Sequence, residues 1–554
     1  MYHLKLEAKK VQSFIFKVPI LKYMIGANSA LGEFFNYDLV ELKKRYESLD
    51  ESKIKKINEI FSEVYGKIEI CPYDNVFENA KAGVFSASGG HFETIFSKKE
   101  NLIKFYENVI EKAHQKIPGI MLKFELHCIY FEDENNFEND SDEVISELEE
   151  IEKNKTENIV NNPYFEICKK DGMNHIKISK ESDENKESSE NIKKIYKQRK
   201  RFIKLEGKEI LCNFYKENIE QFGNNLDIGE FSALCSKKDK NKKNNYYALI
   251  AMDGNSMGKR FNEKLEEIKP EESSNDSPCK DITEIKNLIK IEKFWYESRK
   301  NIREALKYSI KEIKNKFNFI ILMMGGDDIL IATEPKYAFD FVKKFNEYFS
   351  EFKDKITFSS GIAFINHNYP FNYAHEIAEE CLSSAKTRLK NIKDKNNITS
   401  IDWHINYDTY KRPLNEIRNK DYVLYYENEE NHLDILSGRP YLINLDTAKE
   451  SSEFEEIYEK VKKLAEKIKK DEKADKETIE KTNGRNKILE YYFSLKKGIE
   501  YSDEIRKFIF QNTDFDEILP KTKKIKLNDK YINKNNSYDV IELLDFFMEE
   551  GEKI

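Results

Sequence analysis

Apolar and polar positions fall along this chain in blocks that spell strands, hairpins and helices, and the sharpest block is Ile320 to Thr333, I-I-L-M-M-G-G-D-D-I-L-I-A-T. Two apolar runs around Gly-Gly-Asp-Asp predict a buried β-hairpin whose tight turn carries Asp327 and Asp328. Upstream, Tyr246 to Gly258 reads Y-Y-A-L-I-A-M-D-G-N-S-M-G, an apolar strand ending in Asp253 and followed by glycines that let the backbone approach a ligand. A strand is predicted at Tyr2 to Ala8, then V-Q-S-F-I-F and a helical stretch from about Gly26. Lys81 to Phe96 reads as strand, turn at Gly89 and Gly90, and strand. A helix follows over Glu100 to Gln115, with Leu102, Phe105, Tyr106, Val109 and Ile110 on its buried face, and then a strand over Ile120 to Phe131.

The same order recurs after Tyr246. Leu4 and Gly89 are 85 residues apart and Leu249 and Gly325 are 76 apart; Gly89 to Leu122 spans 33 residues and Gly325 to Ile356 spans 31. Agreement over four elements predicts a duplicated β-α-β-β-α-β unit, a ferredoxin-like palm occurring twice, and so an α+β fold. In the first copy His91 and Phe92 stand where Asp327 and Asp328 stand in the second, and Ala8, give or take one position, faces Asp253. The expected division is a degenerate first palm over 1–131, a charged and partly disordered insertion over 132–245, a second palm over 246–405 and a C-terminal helical domain over 406–554.

The insertion carries runs such as F-E-D-E-N-N-F-E-N-D-S-D-E, too poor in apolar residues to bury a core, with short structured pieces at Tyr164 to Cys168 and Ile210 to Phe214. Its basic cluster from Lys197 to Arg201 reads as a solvated face or an RNA contact. In the second palm a long helix is expected from Asp281 to Lys316. Another carries Tyr337, Phe341, Phe345, Tyr348 and Phe352 at spacings that mark a core face. The tail shows heptad-like helices over Ser452 to Lys470, Arg485 to Lys497, Asp503 to Gln511 and Tyr538 to Glu550, with charged outer faces suited to a cap or to docking on partners.

Composition narrows the chemistry. The chain has 554 residues, 35% of them charged, with a formal net charge of −8. That balance opposes autonomous nucleic-acid binding through bulk charge, so any RNA must meet local patches or partner subunits. The seven cysteines contain no C-x-x-C pair, which excludes a zinc ribbon and fits reduced thiols in a cytoplasm. No apolar run approaches 18 residues and no signal peptide opens the chain, so a soluble intracellular protein with no membrane partner is expected. Adjacent carboxylates at a hairpin turn repel each other and make most sense beside a divalent cation. With Asp253 they match the palm of nucleotide polymerases and cyclases, where two Mg²⁺ or Mn²⁺ ions sit between such carboxylates for in-line phosphoryl transfer. Lys386 and Arg388, on a helix facing back toward the hairpin, are candidates to grip a phosphate.

The two palms, V-Q-S-F-I-F followed by G-A-N-S-A-L, M-D-G-N-S-M-G, G-G-D-D, and S-S-G-I-A-F-I before a helix with A-K together resemble the large polymerase-like subunit of type III CRISPR effector complexes, most closely the Cmr type. The likeness covers roughly residues 1–405. It implies a ribonucleoprotein with guide RNA, target RNA and other effector subunits, in which target pairing triggers polymerisation of ATP into cyclic oligoadenylate. Carried over by position, Asp253, Asp327 and Asp328 would hold the metal, Gly254, Asn255, Gly325 and Gly326 would shape the nucleotide site, and Lys386 would contact phosphate. Gly89, Gly90, His91 and Asp74 would line the acceptor side.

Three departures stand out. None of the nine histidines is followed by Asp, so the HD nuclease of many relatives is not expected; the zinc-binding cysteine pairs are absent; and Asn255 replaces a frequent second Asp, which is expected to alter nucleotide recognition. Acidic Glu69 and Asp74 on the acceptor side suit S-adenosylmethionine, whose amine and sulfonium are cationic, so joining of AMP to that molecule is an alternative product. A non-catalytic scaffold is the third reading.

Overall fold

The computed structural model describes residues 1–16, 27–66, 76–129, 141–160, 165–167, 174–176, 246–268, 283–313, 319–350, 356–426, 432–445, 452–474, 484–527 and 530–548, with positions 29, 48, 118–119, 326, 393–396, 408–409, 411 and 512 excepted. Asp74, Glu69, Gly326, Phe352, the Lys197 to Arg201 cluster and the 210–214 piece lie outside the described residues. The chain divides into two units, Met1–Asn225 with Ser256–Arg303, and Leu226–Asn255 with Glu304–Ile554.

In the first unit, strands β1 (Tyr2–Lys9), β2 (Val84–Ser88), β3 (His91–Phe96) and β4 (Met121–Cys128) form an antiparallel sheet in the order β2-β3-β1-β4. Helix α1 (Glu51–Tyr65) begins where the Asp50 carboxylate accepts from the Lys53 amide at 2.9 Å, a side-chain cap for an otherwise unsatisfied donor. Helix α2 (Lys99–Lys116) buries the five residues expected of it, and Phe105 meets Phe92 and Phe96 at ring separations of 6.0 and 5.1 Å. Within the insertion expected to be charged and partly disordered, the described residues include a helix, α3 (Ser141–Val160), whose Val144 and Leu148, four apart, form an apolar stripe that is buried. A small hairpin, β5 (Phe165–Ile167) with β6 (Asn174–Ile176), falls where a structured piece was expected. The first half of helix α4 (Thr283–Glu312) contributes Ile285, Leu288, Ile289 and Tyr296 to the core of this unit, so part of the stretch assigned to the second palm belongs here.

The second unit is built on β7 (Tyr246–Gly254), β8 (Phe319–Gly325), β9 (Asp328–Thr333), β10 (Phe358–Asn366) and β11 (Ile398–Ile405). The sheet runs β14-β11-β10-β7-β9-β8, where β14 (Tyr441–Asn444) comes from the region expected to be a separate helical domain. Four of these strands, β8-β9-β7-β10, repeat the order β2-β3-β1-β4 of the first unit, so the duplication read from spacing is present as topology. The equivalence is shifted by one residue, however. The first hairpin closes on Ser88 opposite His91 and the second on Gly325 opposite Asp328. Gly90 and His91, rather than His91 and Phe92, therefore stand where Asp327 and Asp328 stand, and Glu7, opposite His91, stands for Asp253. Three residues beyond each, Lys10 and Ser256 share a left-handed backbone, with φ of 56° and 61°.

Residues 247–252 of β7 and 358–365 of β10 are buried throughout, as in a strand covered on both faces. Helix α5 (Ala338–Ser350) turns Phe341, Phe345 and Phe349 inward, and helix α6 (Phe371–Lys390) packs on β10 and β11. The tail is not purely helical. Besides α7 (Glu453–Ala474), α8 (Gly484–Leu495), α9 (Ile499–Ile509) and α10 (Ser537–Phe547), it holds a second sheet of β12 (Val423–Tyr425), β13 (His432–Ile435), β16 (Lys530–Lys534) and β15 (Lys523–Leu527), in that order.

The tail is fastened to the palm by a buried charge cluster. The Arg439 guanidinium, 1% exposed, pairs with Asp539 and Glu542 of α10, each at 3.0 Å, and donates to the Trp403 carbonyl of β11 at 3.0 Å. The Trp403 and Tyr422 rings lie on its faces, 5.2 and 4.8 Å away. Phe546 of α10 stacks on Phe364 of β10 at 4.8 Å.

Candidate active site

Antiparallel pairing of β7 with β9 sets Met252 opposite Ile329, so the next position on each strand brings Asp253 beside Asp328 at the exposed end of the sheet. Asp327 occupies the β8–β9 turn and is in hydrogen-bonding contact with Asp253. The three carboxylates singled out in the sequence thus converge. A fourth, Glu379 of α6, faces them, and sequence reasoning missed it; its spacing of seven from Lys386, two helical turns, was the available signal.

The group is held against its own repulsion. Asp328 is pushed up to about 7 by burial first and then by the charges of Asp253, Asp327 and Glu379. Burial and Asp253 also raise Asp327 and Glu379. Lys386, from the last turns of α6, makes a short ion pair with Asp253 and is the ammonium that offsets the cluster. His375 forms part of the same helix face 3.5 Å from Glu379; burial pulls it down to about 4 and keeps it neutral.

A glycine explains how α6 comes this close. A methyl group on Gly361 of β10 would lie 2.2 Å from both the Ala378 carbonyl oxygen and the Leu382 amide nitrogen, so only glycine lets the helix rest directly on the strand. Asn255 proves to be structurally engaged. Its amide donates to Thr357 Oγ1 at 2.9 Å and Thr399 Oγ1 at 3.3 Å and accepts from Ser359 Oγ at 2.7 Å, while its backbone N–H donates to the Thr357 carbonyl at 2.8 Å. Those bonds continue through Ser400 to the Ala385 carbonyl, one residue from Lys386, so Asn255 anchors the end of β7 rather than standing free for a nucleotide. Gly254 is buried opposite Phe358, and Gly325 closes the hairpin against Asp328. Arg388 turns away from the acids to pair with Glu453 at 3.2 Å.

A hard divalent cation fits this donor set, since hard oxygen ligands crowded at a half-buried turn are relieved by one. Among the described residues, however, no three such side chains are already arrayed around one point. In the first unit the equivalent positions hold Glu7, paired with Lys9, and His91, which burial lowers. Gly89 and Gly90 both have positive φ, 61° and 84°, as a two-residue hairpin turn requires.

Residues 246–399 match the family described as Cas10/Cmr2, second palm domain. A curated relative, the CRISPR system single-strand-specific deoxyribonuclease Cas10/Csm1 (subtype III-A) of Methanocaldococcus jannaschii, is 24% identical over 191 residues, covering 33% of this chain and 23% of that protein. Among solved structures, a Csm1–Csm4 cassette in complex with cA4 aligns over 99% of this chain and 70% of its own, with a TM-score of 0.42 at 12% identity. Csm1 of T. onnurineus aligns over the same shares with a TM-score of 0.43 at 13% identity. Residues 246–399, with the hairpin acids in their order, are thus similar to the second palm of the Cas10/Cmr2 family, and the chain spans about a quarter of the length of the Cas10/Csm1 relative it matches.

Proposed function

We propose that the second palm is a nucleotidyltransferase site that takes ATP, within an RNA-guided effector complex of the cytoplasm, and joins adenylates 3′ to 5′ into a cyclic oligoadenylate messenger. The observation that supports this reading most is the convergence of Asp253, Asp327 and Asp328 at one end of a sheet whose equivalent in the first unit has Glu7, Gly90 and His91. Mg²⁺ or Mn²⁺ held by those three carboxylates would neutralise the triphosphate and activate the attacking 3′-hydroxyl. Lys386 supplies a positive charge at the same place for phosphate oxygens, and Glu379, with neutral His375 3.5 Å away, adds a further carboxylate beside the acids. Asn255 keeps Asp253 in register with the turn. Guide RNA, target RNA and further effector subunits would switch and support the site.

The test is product analysis by mass spectrometry on the RNA-loaded complex, supplied with ATP alone, ATP with S-adenosylmethionine, and GTP. Cyclic oligoadenylate from ATP alone, lost with Asp327→Ala plus Asp328→Ala, is the expected result. An AMP conjugate formed only with S-adenosylmethionine would replace the proposed product. No metal-dependent product from any mixture would leave a scaffold.

A further inference from the structure

On the other side of α6 from the acids, a cavity of about 490 Å³ opens between β14, α7 and the β15–β16 hairpin. That volume lies within the range of small-ligand pockets. Five cations line it: Arg388, Lys460, Lys521, Lys523 and Lys534, besides Arg439, whose charge Asp539 and Glu542 already match. Only two carboxylates, Glu453 and Glu456, face them, and Glu453 is taken by Arg388. Among the described residues the four lysines form no ion pair, in a chain that carries more acidic than basic side chains overall.

Strand register makes the excess deliberate. Lys523 of β15 lies directly opposite Lys534 of β16, a like-charge cross-strand pair that costs stability unless an anion sits between or above it. Lysines on edge strands commonly guard against aggregation, but Lys534 is on the inner strand and half-buried. Burial chiefly lowers both Lys534 and Lys460; Asp539 and Glu453 act against this at Lys534 and Glu456 at Lys460, but the neighbouring cations Arg388 and Lys523 at Lys534, and Lys523, Arg506 and Lys463 at Lys460, add to the lowering. Ile457 and Ile525 add an apolar wall for a base or sugar.

We propose that this cavity binds a phosphate-rich ligand, either a free nucleotide or a stretch of RNA backbone, through Lys460, Lys521, Lys523, Lys534 and Arg388. The site is separate from the acidic cluster and needs no metal. It is tested on the full chain in EDTA, which keeps the palm from holding nucleotide through metal, by titration with inorganic tripolyphosphate, ATP and a short labelled oligouridylate. Saturable binding of tripolyphosphate is expected, weakened about tenfold or more by Lys523→Gln plus Lys534→Gln and strongly salt-dependent. Lys534→Arg should retain it, and thermal unfolding of each variant separates loss of the site from loss of the fold. Displacement of the RNA by tripolyphosphate identifies backbone phosphate as the ligand; binding of ATP with no RNA binding identifies the nucleotide. The proposal is overturned if none of the three probes saturates at about 50 mM salt, if the folded double variant binds as the parent does, or if polyglutamate competes as well as tripolyphosphate.

Discussion

Asp328 carries the largest conflict in the acidic cluster, because its folded state prefers the protonated form. Its folded pKa, about 7, lies above the ordinary 3.8, so its contribution to stability is fully present below about 4 and is lost as pH rises through 7. Replacing it removes that slope. In EDTA, Asp328→Asn should gain thermal stability relative to the parent between pH 5 and 8 and show little gain near pH 4, as measured by melting temperature across the series; an equal offset at every pH would contradict this. Lys386 is the counter-charge, and Lys386→Ala should lower turnover of ATP by about 10²–10³-fold. Lys386→Arg should recover only part, since a planar guanidinium does not replace a compact ammonium. Single-turnover rates on the loaded complex would show it.

At the level of elements, what positions the acids is the contact of α6 with β10. Gly361→Ala pushes a methyl into backbone that cannot yield, and a loss of about 3 kcal/mol or more in urea unfolding is expected. Gly361 stands in a motif that was quoted for its likeness, S-S-G-I-A-F-I, but its role is visible only once the helix is seen lying on it. The β7 strand, the β8–β9 hairpin and the buried faces of α2 and α5 were legible because their apolar periods are long and uninterrupted. The tail sheet was not. K-K-I-K-L, K-Y-I-N-K and H-L-D-I are short and charged, and they pair because their neighbours cover them, not because they alternate. Nor did spacing fix which residue of the first hairpin answers to which acid; a count of positions drifts by one where the strand pairing does not. The engagement of Asn255 with Thr357, Thr399 and Ser359 was likewise beyond reach, since it joins three separate strand ends.

For the molecule as a whole, the second palm is not a module that ends at residue 405. Arg439 reaches forward to Asp539 and Glu542 and back to Trp403, and breaking that buried group is costly because the remaining charges stay unpaired. Arg439→Ala should cost about 3–5 kcal/mol, read from chemical denaturation of the full chain. No described helix is long and apolar enough to cross a membrane. Phosphate binding at the lysine-lined cavity and ATP turnover at the acids should respond separately to substitution, since they occupy opposite flanks of α6.

Because both carboxylate partners of Arg439 lie on α10, a chain clipped before Ser537 should still carry Asp253, Asp327 and Asp328 and yet be easily digested by protease, since the arginine beneath the sheet is left with its charge unmatched.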